Sequence, residues 1–130
     1  MEKIVHNGIP ITIDIPEETF ETIAIVVTSP HKTWRFDVDL KHSNAIGELD
    51  NLDPKWQHST PTGETTALAE VGMEQLQNYA RRTGANFLYT FRTVDKNMRE
   101  WYLRGNGRRA LGINAGEVVG PVYVEGMRVF

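Results

Sequence analysis

The chain has 130 residues, 40% hydrophobic and 24% charged, with a net charge of −3 and no cysteine. That length fits one domain with an ordinary core, and the missing cysteine excludes disulfides, thiolate zinc sites and thiol nucleophiles. No apolar run approaches the roughly 18 residues that span a bilayer, and the start MEKIVHNGIP has no secretory pattern, so a cytoplasmic protein outside the membrane is expected.

The first half predicts strands. Residues 3–6 and 9–15 flank Asn7-Gly8, a strong hairpin signal because both turn positions must tolerate positive φ. The isoleucines of 9–15 fall on odd positions, the period of a half-buried strand. Pro10 makes this an edge strand or the start of one. Pro16 to Glu21 predicts one acidic helical turn with proline at its first position. Residues 23–28 are β-branched and predict a buried strand, and 29–32 a turn. Trp34, Phe36, Val38 and Leu40 alternate with Arg35, Asp37 and Asp39, which predicts a strand over 34–40. A short strand at 45–49, a turn at 50–54 and a polar loop at 56–63 follow.

Residues 66–83 predict a long helix. Leu68, Val71, Gly72, Leu76, Tyr79 and Ala80 recur at helical spacing, with Gln75 the one polar intruder. Gly84 suits the C-cap, and Arg81 and Arg82 suit the negative end of the dipole. A strand at 86–94, a second helix at 96–104 N-capped by Asp95, a strand at 110–113 and a hairpin of 118–124 with 127–130 complete the chain. The fold class expected is α+β, a single domain with a mostly antiparallel or mixed sheet and two helices in the second half.

Charge is unevenly spread. Residues 1–65 hold 5 Lys and Arg against 11 Asp and Glu, while 66–130 hold 9 against 6. The basic excess is densest from Arg81 to Arg109, and seven of its eight cations are arginine, whose planar fork suits phosphate or carboxylate. A solvated face balancing the acidic half explains it equally well. The four histidines show no i, i+4 pairing, and no metal is expected. Asp37, Asp39 and His42 are either a hard-metal or acid/base cluster or, as is commoner, a solvated strand face. Thr62-Gly63-Glu64-Thr65-Thr66 is not a P-loop, yet it is a small-residue loop entering a helix, where unpaired N–H groups meet anions. Ordinary capping by Thr65 or Thr66 competes with that reading.

Residues 64–109, taken in order, resemble the second half of a GNAT-type N-acyltransferase. Glu64-Thr65-Thr66-Ala67-Leu68-Ala69 stands where that family has its (Q/R)xxGx(G/A) acetyl-CoA loop, with Glu64 at the Gln/Arg place and Ala67 at the glycine place. The helix end Tyr79-Ala80-Arg81-Arg82-Thr83-Gly84-Ala85 is similar to the family's YARxxGA ending. Asn97 falls near the family asparagine, Trp101-Tyr102-Leu103-Arg104 near its LYxK and Gly107-Arg108-Arg109 near its GF[RK]. The C-terminal hairpin would supply the closing strands.

The resemblance implies a GNAT-like topology with acetyl-CoA as co-substrate. It implies cofactor contacts from Thr65, Thr66, Ala67, Leu68, Ala69 and Asn97. It also implies that Tyr102 protonates the departing thiolate. Arg99, Arg104, Arg108 and Arg109 are candidate phosphate or partner contacts. The acceptor would be a small-molecule or protein amine met by the acidic first half, with Asp37, Asp39 or Glu48 as base.

Two other readings stand beside this one. The chain is a non-enzymatic accessory protein of phage type that binds a partner protein or nucleic acid through its arginine-rich face. Alternatively, it is a self-assembling protein, a homodimer paired through the C-terminal hairpin.

Overall fold

The computed structural model describes residues 1–53, 63–84, 87–93, 119–124 and 127–128. The strands are β1 (Glu2–His6), β2 (Ile9–Glu18), β3 (Thr22–Thr28), β4 (Lys32–Asp39) and β5 (Asn44–Asn51), then β6 (Phe87–Thr93), β7 (Val119–Val124) and β8 (Met127–Arg128). One helix, α1 (Gly63–Thr83), lies between β5 and β6. The fold is α+β: five antiparallel strands followed by a helix that packs on them. The sheet runs β1 to β8 in chain order. The pairs β5–β6 and β6–β7 are parallel, and β7–β8 is antiparallel.

The Asn7-Gly8 turn forms as its sequence requires. Asn7 has φ 50° and Gly8 φ 79°, the two positive values of a type I′ turn that matches strand twist. This turn pairs His6 with Ile9 and sets the register of β1 on β2. β2 lies between β1 and β3, yet Pro10 costs no ladder bond. It sits opposite Val5, and pairing with β3 begins only at Thr12.

The expected helical turn from Pro16 to Glu21 is corrected. Residues 16–18 continue β2, because a bulge between Asp14 and Glu17 absorbs an extra residue and the ladder resumes at Glu17–Ala24. A proline needs no partner inside a bulge. The chain then turns on Thr19, whose Oγ1 accepts from the Thr22 N–H at 3.0 Å. Asp50 and Asn51, expected in a turn, are strand residues paired with Thr33 and Lys32. β4 likewise starts at Lys32, earlier than predicted.

The core lies between α1 and one sheet face. Ile11 and Ile13 of β2, Ile23, Ile25 and Val27 of β3, Trp34, Phe36 and Val38 of β4, and Ala45 and Leu49 of β5 point inward. Helix residues Leu68, Val71, Met73, Leu76, Tyr79 and Ala80 meet them. Burying each large aliphatic side chain contributes about 1.5–3 kcal/mol. Trp34 and Phe36 stack with ring centroids 5.8 Å apart. Phe36 lies directly under Gly72, where a Cβ would overlap its ring.

The helix ends are tied separately. Arg82 donates to Glu18 at 3.1 Å and lies over the Tyr79 ring. Gly84, with φ 72°, closes the helix in the left-handed conformation expected of a C-cap glycine. The helix starts at Gly63, three residues before the predicted start. The expected helix at 96–104 and strand at 110–113 lie outside the described residues, as do most of the loop at 56–63 and the tip of the C-terminal hairpin.

Gly72→Ala tests the closeness of α1 to β4. Alanine is the better helix former by about 1 kcal/mol, but the methyl must displace the Phe36 ring, an overpacking cost of roughly 1–3 kcal/mol. Chemical denaturation is expected to show a net loss of stability, where an open site would show a gain.

Candidate functional site

The carboxyl end of β5 and the start of α1 lie at one end of the sheet. β6 runs parallel to β5, with Leu49 beside Thr93, so its carboxyl end lies there too. This is the geometry in which open sheets with parallel strands hold ligands. A helix N-terminus leaves its first N–H groups without helical partners and carries the positive end of the dipole.

Glu64 is fixed at this end by the β3–β4 turn. Its Oε1 accepts from the His31 backbone N–H at 2.9 Å, and its Oε2 lies 2.7 Å from His31 Nδ1. Partial burial works against the Glu64 charge, but the hydrogen bonds from His31 and Ser29 outweigh it and hold the carboxyl below its ordinary range. Lys32 is only 3% exposed, and its Nζ donates to Asn51 Oδ1 at 2.6 Å. Burial and the neighbouring Glu48 raise the Asp50 carboxyl.

The sheet face away from α1 carries the other chemistry. Asp14, Glu17, Asp37, Asp39, Glu48 and Asp50 lie on it by strand alternation, with Arg35 among them. Arg35 Nε contacts both Asp37 oxygens at 3.1 Å. Asp39 Oδ2 lies 2.6 Å from His42 Nδ1, and this bond holds the Asp39 carboxyl below its usual range. Ala24, the smallest side chain in its row, leaves a shallow depression of about 310 Å³ bordered by Glu17, Asp37, Asp39, Asn44 and Ile46.

The predicted cofactor residues Thr65, Thr66, Ala67, Leu68 and Ala69 occupy the first turns of α1. Thr65, Ala67, Leu68 and Ala69 are buried and Thr66 is half-buried, so what this end offers a ligand is backbone. Asn97, Arg99, Tyr102, Arg104, Arg108 and Arg109 lie outside the described residues. Asp37, Asp39 and His42 do come together, though as an Asp39–His42 pair beside an Arg35–Asp37 pair.

Sequence reasoning missed the His31–Glu64 contact and a second link, His6 Nε2 to Glu70 Oε2 at 3.0 Å. It also missed buried Lys32. The signal for Lys32 was parity, since it shares the even-numbered row of Trp34, Phe36 and Val38.

Among the described residues no group of three His, Asp or Glu side chains could hold a metal ion, and no helix is long and apolar enough to cross a membrane. Compared with protein-family models, with curated proteins and with solved structures, the chain matches none.

The two depressed carboxyls give a signed pH dependence. A carboxyl whose folded pKa lies below its unfolded one contributes stability above the unfolded value, and loses it as pH falls through the folded value. The melting temperature is therefore expected to fall on acidification through and below the ordinary carboxylate range, with the raised Asp50 carboxyl offsetting part of the fall. Glu64→Gln, which removes the Glu64 share, is expected to give a shallower fall in the same thermal scans.

Proposed function

We propose that the chain is an acyl-CoA-dependent N-acyltransferase whose acceptor is a cationic amine. The observation that carries this reading is the β5–α1–β6 crossover. An antiparallel meander ends in β5, a long helix follows, and the next strand lies parallel beside β5. That is the order of strand, loop, helix and strand that the resemblance implies.

The first turn of α1 fits a bound pyrophosphate. Gly63 is open, with nothing within 4 Å of where a Cβ would stand. Ala67, at the family's glycine place, is 2% exposed, so its methyl packs into the core instead of obstructing the helix mouth. Glu64 would repel an anion, but its carboxylate is drawn onto His31.

Acetyl-CoA, as co-substrate, supplies the activated acyl group. The N–H groups of the first helical turn would bind its pyrophosphate. Asn97 would contact the co-substrate, and Arg99, Arg104, Arg108 and Arg109 would supply cationic contacts. The amine is attracted as a cation to the acidic open face. Among the candidate bases, Asp37 is engaged by Arg35 and Asp39 by His42. Glu48 stands on β5, the strand that leads to α1, opposite Arg35 and hydrogen-bonded to Asp50; by its place next to α1 it is the residue proposed to accept the amine proton. Tyr102 gives its proton to the departing thiolate sulfur.

Thermal melts with and without acetyl-CoA test the reading. Ligand at about 100 times its dissociation constant adds about 2.7 kcal/mol, a rise of several degrees. Tyr102→Phe and Glu48→Gln are expected to keep that rise and lose turnover with an amine acceptor. No rise at millimolar acetyl-CoA overturns the proposal. Binding that falls steeply with salt when nucleic acid is added instead would favour the accessory reading.

A further inference from the structure

The outer edge of β1 has the chemistry of a self-complementary strand, and we propose that two copies of the chain pair antiparallel through β1, across a two-fold axis at Ile4. This stands independently of the acyltransferase reading.

Among the described residues β1 is the first strand of the sheet and has β2 as its one neighbour. The Asn7-Gly8 turn fixes which of its backbone groups face outward. In a two-residue hairpin the flanking residues, His6 and Ile9, are a hydrogen-bonded pair, and bonded and non-bonded pairs then alternate. Ile4–Ile11 and Glu2–Ile13 are thus bonded pairs, while Val5–Pro10 and Lys3–Thr12 are not. Proline opposite Val5 agrees with this parity, since its missing N–H falls where no bond to β1 is made. Lys3 and Val5 therefore direct their N–H and C=O groups away from the sheet. Val5 is 73% exposed.

Sequence selects the partner and the register. With the axis at Ile4, Lys3 of each copy pairs with Val5 of the other and exchanges N–H···O=C bonds in both directions. Ile4 meets Ile4 on the α1 side, where it already packs against the core. Glu2 falls opposite His6, an attractive pair when the ring is protonated. The ring's Nε2 is committed to Glu70, and a protonated ring donates from both nitrogens.

Neighbouring registers are worse. A shift one way sets Lys3 against Lys3, and like charges directly opposite destabilise a strand pair. A shift the other way leaves Glu2 unpaired and runs Lys3 into the turn. Edge lysines commonly guard against pairing. Here Lys3 lies on the open face opposite Val5, where its ammonium stays in water. An edge this short makes a small interface, so the dimer is expected to be weak and concentration-dependent.

Sedimentation of the full chain over an approximately hundredfold dilution series tests this. The wild-type mass is expected to rise to about twice the monomer mass at the top of the series. Val5→Pro removes an outward N–H that the hairpin does not use, so it should melt like wild type at the dilute end and remain monomeric throughout. Glu2→Lys, an exposed substitution, should shift the dimerisation midpoint to higher concentration. A wild-type chain that is monomeric across the series overturns the proposal. So does self-association that Val5→Pro and Glu2→Lys leave unchanged, which would place the contact on another surface such as the β7–β8 hairpin.

Discussion

Phe36 lies beneath Gly72, the one interior position of α1 that has no side chain to oppose it. Gly72 lets the helix backbone come down onto the ring, and the Trp34 indole stacked beside Phe36 extends the same floor. This close approach sets how α1 can cross the sheet. With its middle held over β4, the start of the helix reaches His31 and its end reaches Glu18. The polar ties at the two ends follow from the apolar contact between them. They are surface or half-buried pairs, worth less than the core that places them.

The sheet consequently has two unlike faces. One is sealed by α1 and built of isoleucine, valine, tryptophan and phenylalanine. The other carries, among the described residues, six carboxylates, two of them held by Arg35 and His42. The acidic balance of the first half is thus concentrated on one side of one sheet. The Arg–carboxylate pair between the acidic and basic halves, Glu18 with Arg82, lies at the sheet's end and away from that face.

Local patterns carried much of the fold. Alternation in β4, the helical spacing of α1 and the Asn7-Gly8 turn each have a short-range physical cause, so each was legible in the sequence. Residues 16–18 were misread because a proline followed by glutamates suits a helix start as well as a bulged strand. The choice fell to β3, which offers a ladder that no local pattern reveals. Asp50 and Asn51 were misread for the same reason, since β4 extends the pairing past their turn-like composition. At the site, Asp37 and Asp39 were legible as one face. Their company of Asp14, Glu17 and Glu48 depends on register across three strand pairs. The His31–Glu64 bond joins residues far apart in sequence, and only the path of the chain from β5 to α1 brings them together.

The sequential strand order also bears on how the chain is made. Each of strands β2 to β5 pairs with the one synthesised just before it, so the meander requires only short loop closures and can form early. Its apolar face has no cover until α1 emerges, since every helix residue that seals it comes after residue 62. A chain whose first five strands have left the ribosome before α1 would therefore hold out a sheet with one greasy side, the kind of surface that chaperones bind and that clumps when they do not. The interval between the emergence of Asn51 and that of Thr83 is the vulnerable period in the life of this protein.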